Sequence, residues 1–295
     1  MPTTRRGGVV LSEQRRPSRT RRFVTRVVIL VLAGAVVGAG IVGARGLLTN
    51  FGGPRCQATA TGSSVDFDPS QTAYAATIEA VAEKRGLPAR AATIAIATAI
   101  QESKLRNLRY GDRDSVGLFQ QRPSQGWGTV NQILDPVYAT NKFYDALVKI
   151  DGYQSMKITD IAQKVQRSAN PGAYADHEKE GRLLASTLSG HSPAGLGCRL
   201  DDATTGDPAA LKAALKTELG VSSEVSGRTL TVNAASERAA WSAGAYAVAK
   251  ASQHGATSVR VGSREWTRTR DASGWQWHTA KTHGDPSTVT VTFAG

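Results

Sequence analysis

Hydrophobic and polar positions follow three regimes along this chain. From Val27 to Ala44 it reads VVILVLAGAVVGAGIVGA, eighteen residues without a charge between Arg26 and Arg45. At about 1.5 Å per helical residue, that stretch approaches the ~30 Å hydrocarbon thickness of a bilayer and predicts a single transmembrane helix. From Pro69 to Leu188 apolar residues recur at helical spacing. A first helix opens near Ser70 and Gln71 and stops at Gly86. The next starts at Pro88 and reads ARAATIAIATAIQES, apolar nearly all round, which predicts a central buried helix with Glu102 at its end. Further helices are expected from Asp135 as N-cap with Pro136 at the first turn, from Thr159, and from Ala173 to Leu188. Between Leu105 and Val130 lies a polar, Gly-rich region with no helical period, and a long irregular loop inside a helical domain is usually functional.

The third regime begins after Cys198. Helices at Pro208 to Leu219 and Ser236 to His254 alternate with strands at Thr229 to Val232, Thr257 to Val261, Arg264 to Arg270 and Thr288 to Phe293. The expected fold class is a mainly α domain preceded by one transmembrane helix and followed by a small α+β domain. The boundaries are a basic head at 1–26, the membrane helix at 27–44, a Gly/Ser/Thr-containing stalk at 45–68, the helical domain at 69–198, a linker at 199–207 and the α+β domain at 208–295.

Charge changes the picture by its position. The chain of 295 residues carries a formal +12, but residues 1–50 hold nine arginines and one acid, a net of +8, leaving +4 for the remaining 245. Basic residues ahead of an apolar segment are an orientation signal, so the N-terminus is expected in the cytoplasm and everything after residue 45 outside, as in a single-pass protein of the cell membrane. A cleaved leader is the alternative, since small residues precede Arg45, although the apolar stretch exceeds the usual leader core. No nucleic-acid partner is expected, because orientation and anionic lipid account for the arginines. Export makes Cys56 and Cys198 an expected disulfide, with two free thiols as the alternative. Two cysteines and five histidines, none in a C-x-x-C or H-x-x-x-H arrangement, supply no metal-ligand set, and no cofactor is expected.

The chemistry centres on Glu102. A carboxyl at the end of a buried helix, facing a polar loop, is partly desolvated and suited to act as a general acid. Ile100, Gln101, Glu102 and Ser103, followed by Gly117, Leu118, Phe119 and Gln120, resemble the lysozyme-like superfamily, in particular soluble lytic transglycosylases and actinobacterial-type cell-wall hydrolases. The runs Gln121 to Gly128 and Val165 to Ser168, then Pro171 and Tyr174, extend the resemblance over about residues 69 to 190.

The resemblance implies cleavage of the β-1,4 bond between N-acetylmuramic acid and N-acetylglucosamine, with Glu102 as acid and then base. Gln120 would line the glycan cleft, with Gln121, Trp127, Ser168 and Tyr174 as further substrate contacts. The family's A-Y-N-x-G motif is present only in altered order, as Ser168, Asn170 and Tyr174. A hydrolase needs a second carboxylate, for which Asp114, ahead of Asp112, is the candidate. The alternative from another class is a catalytically silent module that binds glycan or recruits other proteins. Expected partners are peptidoglycan strands, the membrane through one helix, and cell-wall machinery through the last domain. Trp275 and Trp277, with Trp266, are read as the core of a small sheet packed on a helix carrying Trp241, with a carbohydrate platform as the alternative.

Overall fold

Arg55 to Phe67 alternates inward and outward side chains about a Thr61-Gly62 turn, and it folds as a hairpin where a stalk was expected. The computed structural model describes residues 53–166 and 171–295. Strand β1 (Arg55–Ala60) buries Cys56, Ala58 and Ala60, and β2 (Ser63–Phe67) buries Phe67. Thr61 and Gly62 both have positive φ, as a two-residue type I′ connection requires. Strand β3 (Leu196–Arg199) pairs with the other edge of β1 and places Cys198 opposite Cys56. The two are joined by a disulfide across 142 residues of chain.

Helices fill the interval. Helix α1 (Pro69–Lys84) starts at Asp68, whose amide donates to the Gln71 side chain at 2.8 Å. Helix α2 (Ala89–Ser103) is buried without a break from Ala91 to Ile100, as its composition predicts. Two short elements, a 3₁₀ turn at Pro123–Gln125 and α3 (Val130–Ile133), lead to α4 (Pro136–Leu147), which Asp135 caps through the Val137 amide at 2.9 Å. Helix α5 (Ile158–Gln166) follows, then a 3₁₀ segment Pro171–His177 and α6 (Glu178–Leu188). Gly181 lets α6 approach α2 closely: a Cβ there would lie 2.7 Å from the Thr93 carbonyl and 3.0 Å from the Ala97 methyl.

Beyond β3 the chain builds a second, six-stranded antiparallel sheet in the order β4-β5-β9-β6-β7-β8. Its strands are β4 (Glu224–Ser226), β5 (Thr229–Asn233), β6 (Ala256–Val261), β7 (Arg264–Thr267), β8 (Trp277–Thr279) and β9 (Thr288–Phe293). Helix α7 (Pro208–Ala214), running into a π-helical turn Leu215–Leu219, precedes the sheet. Helices α8 (Glu237–Ala249) and α9 (Ala251–His254) lie between β5 and β6. Trp266 and Trp277 are core residues, and Trp277 stacks edge-on against Trp241 of α8 with ring centroids 5.0 Å apart. Trp275 does not share a strand face with Trp277. It ends a 3₁₀ turn, Ala272–Trp275, and carries the Arg199 guanidinium 4.9 Å from its ring centre.

The expectation of a mainly α fold is therefore corrected: the described residues contain nine strands in two sheets. The strands of the first sheet are short and polar on one face, so their alternation is too brief to stand out beside long helical periods. The expected single-pass placement is corrected as well. Among the described residues no helix is long and apolar enough to cross a membrane, and Val27 to Ala44 lies outside them.

A buried ion pair joins the helices of the first half to those of the second. Lys250 donates to Thr77 of α1 at 2.8 Å and lies 3.2 Å from Glu218, and Thr77 donates to Glu218 at 2.7 Å. Removing one member leaves a buried charge unpaired, so Glu218→Ala is expected to lower stability by about 3 kcal/mol. The apolar double variant Lys250→Met/Glu218→Leu should recover most of that loss in urea denaturation. A double variant as unstable as the single would show that the pair itself, and not its disruption, carries the energy.

Candidate active site

The end of α2 is shaped by backbone conformations that ordinary residues avoid. Lys104 and Leu105 follow the helix with φ of 55° and 54°, each at a cost of about 1 kcal/mol that surrounding bonds must offset. Gln71 donates to the Lys104 carbonyl at 2.7 Å, and the Ser103 hydroxyl donates to the Leu118 carbonyl at 2.7 Å. Ser103 thereby fastens the Gly117–Gln120 turn to the helix terminus. Gly117, at φ 82°, fits because a Cβ there would meet the Ile133 carbonyl at 2.8 Å.

Glu102 is half-buried at this junction. Tyr174, from the Pro171–His177 segment, is 1% exposed and donates its hydroxyl to Glu102 Oε1 at 2.5 Å. The Gln166 amide donates to the Phe119 carbonyl at 2.6 Å and also hydrogen-bonds Glu102. Burial pushes the Glu102 carboxyl above its ordinary range, while the bonds from Tyr174 and Gln166 partly oppose that rise. The result is a carboxyl group that holds its proton more readily than a surface glutamate and has two donors ready for the charge when the proton leaves.

The other expected site residues divide. Gln120 lies in the turn at φ 47°, and its side chain braces the loop: it accepts from the Ser115 hydroxyl at 3.0 Å and donates to the Gly117 carbonyl at 3.1 Å. Gln121 is buried and donates to the Ala139 carbonyl of α4 at 3.1 Å, a packing contact. Trp127 packs partly buried against the core and lines a cavity of about 340 Å³ with Ile150, Lys149 and Lys164, whose walls do not include Glu102. Ser168 and Asn170 lie outside the described residues.

Asp114 accepts from Arg122 Nε at 2.8 Å and from the Ser124 amide and hydroxyl at 2.8 and 3.0 Å. Those donors, Arg122 first, hold its carboxyl well below the usual range. It works as a loop clasp. Asp112 is exposed beside Arg113. Gln166 is the participant that sequence reasoning did not assign a role, although it stands in the Val165 to Ser168 run that carries the resemblance. The loop also presents Tyr110, 74% exposed, whose carbonyl accepts from Gln120 at 3.4 Å.

In comparisons with known proteins, the chain matches no family model and no curated sequence.

Proposed function

We propose that this protein cleaves peptidoglycan glycan strands by a lytic transglycosylase reaction centred on Glu102. The observation that carries the reading is the half-buried Glu102 carboxyl, raised by desolvation and bonded by Tyr174 at 2.5 Å. In the first step Glu102 gives its proton to the glycosidic oxygen as the C1–O bond breaks. As a carboxylate it then takes the proton from the muramoyl C6 hydroxyl, whose oxygen bonds to C1 and closes an anhydro ring. No water is consumed, and one carboxyl group serves both steps.

The occupancy of Asp114 by Arg122 and Ser124 favours this over hydrolysis. An aspartate already accepting three hydrogen bonds, with its proton affinity depressed, is a poor base for activating water. Digestion of purified peptidoglycan followed by mass spectrometry tests the reading. Anhydromuramoyl ends support it, hydrated ends move the reaction to a muramidase, and binding without any release of fragments makes the protein a glycan-binding module.

Glu102 must be protonated to start the reaction, so activity is expected to fall on the alkaline side as the raised carboxyl group titrates. Tyr174 stabilises the charged form. Tyr174→Phe should therefore move that alkaline limb to higher pH, with kcat reduced about tenfold through loss of the donor that holds the carboxylate. A pH–rate profile unchanged in position would show that the tyrosine does not act on the reacting proton.

A further inference from the structure

Away from Glu102, α1, α2, the loop after α6 and the start of α8 enclose a second cavity of about 490 Å³. Glu79, in the middle of α1, forms part of its wall. It is 5% exposed, and among the described residues nothing makes a hydrogen bond or ion pair with it. An apolar side chain would fill that position at lower cost, so an unpaired buried carboxyl facing a cavity points to a ligand.

The neighbouring groups are already committed. Glu83 accepts from Arg238 at 3.0 Å through Oε1 and from the Ser242 hydroxyl at 2.7 Å through Oε2. Arg238 also donates to the Ser189 carbonyl at 2.8 Å, and His191 Nδ1 lies 2.8 Å from the Ser189 hydroxyl. These bonds tie the rim together and leave Glu79 as the unfilled acceptor. Leu87, Pro88 and Ala92 supply the apolar part of the wall. Among the described residues no group of three or more His, Cys, Asp or Glu is arranged to hold a metal ion.

We propose that this cavity binds a primary alkylammonium group, an amine cation on a short aliphatic arm, with Glu79 as its counter-ion. Both carboxylate oxygens are available to the ammonium hydrogens, the apolar part of the wall suits the arm, and a monocation neutralises the one charge that Arg238 leaves uncompensated. An anion would meet two glutamates with the arginine already engaged. The proposal is independent of the reading at Glu102.

Burial first, then Glu83, raises Glu79 well above the ordinary carboxyl range, with Arg238 opposing. The groups that face it are Glu83 on its own helix, Arg238 on α8, His191 at the cavity mouth and the buried Tyr144 phenol on α4. A bound cation favours the carboxylate, so binding releases a proton and tightens as pH rises through the Glu79 titration. The same shift sets stability. Because folding raises Glu79 above its unfolded value, stability falls as pH rises from the ordinary carboxyl range up to the folded value and is level above it. Glu79→Gln is therefore expected to melt higher than the wild type at neutral and alkaline pH, with the difference vanishing below the ordinary carboxyl range.

Titration calorimetry on the full chain tests the site with two probes, n-butylamine and Nα-acetyl-lysine amide, and with n-butanol as the neutral control. The expected result is saturable 1:1 binding of an amine, with heats that depend on buffer ionisation because a proton leaves. Butylamine binding alone assigns a free amine, and lysine-amide binding assigns a lysine side chain of a peptide. Glu79→Gln should weaken binding about thirtyfold, and Leu87→Trp, which fills the cavity without touching a carboxyl, should abolish it. Glu102→Gln should leave it unchanged. Absence of amine binding at millimolar concentration, equal binding of butanol, or undiminished binding in both cavity variants would overturn the proposal.

Discussion

Glu102→Gln is expected to lower glycan cleavage about a thousandfold while leaving the protein folded and able to bind its polymer. The magnitude follows from removing a general acid, worth about 10²–10⁴ in rate, at a site where the same group must later act as base. Glutamine keeps the shape of the side chain and retains an oxygen that can accept from Tyr174, so the bond that now measures 2.5 Å has a counterpart in the variant. The melting temperature should therefore stay near that of the wild type. The assay is release of soluble fragments from purified peptidoglycan, compared at equal bound protein. A Glu102→Gln variant as active as the wild type would sink the assignment of Glu102. A wild type that binds sacculi and releases nothing would sink the enzyme itself.

The second large effect is structural. Cys198→Ser or Cys56→Ser is expected to cost about 4–5 kcal/mol, because the disulfide closes a loop across 142 residues and restricts the unfolded chain. The bond also fixes β1 against β3, the strands that bracket the helices leading to Glu102. Alanine in both positions should cost about the same as either single change, since one bond is lost in each case. Urea denaturation with and without reductant makes the comparison. Coincident curves for oxidised and reduced wild type would show that the bond contributes nothing to stability.

How far each feature was legible depends on the range of the signal. The Asp135-Pro136 start of α4 and the apolar circumference of α2 are local, and the helices lie where those signals put them. The β1–β2 hairpin escaped because six and five residues of partly polar alternation, joined by Thr61-Gly62, read as a Gly/Ser/Thr stretch. Gln121 and Asp114 were plausible site residues by type and neighbourhood. Their side chains are instead spent on Ala139 and on Arg122 with Ser124, partners that only the folded loop brings within reach.

The amino-acid sequence by itself determined the helical period of residues 69–188, the Asp135 cap of α4, the Gly86 stop after α1, the placement of Glu102 at the end of a buried helix, and the cysteine pair. These rest on periodicity and composition within a few residues. Tertiary structure alone decided that Tyr174, 72 positions away, meets Glu102, that Gln166 joins the same carboxyl to the Gly117–Gln120 turn, and that Glu79 faces a cavity without a partner. Burial and long-range contact set the proton affinity of a carboxyl group, and both exist only once the helices have packed.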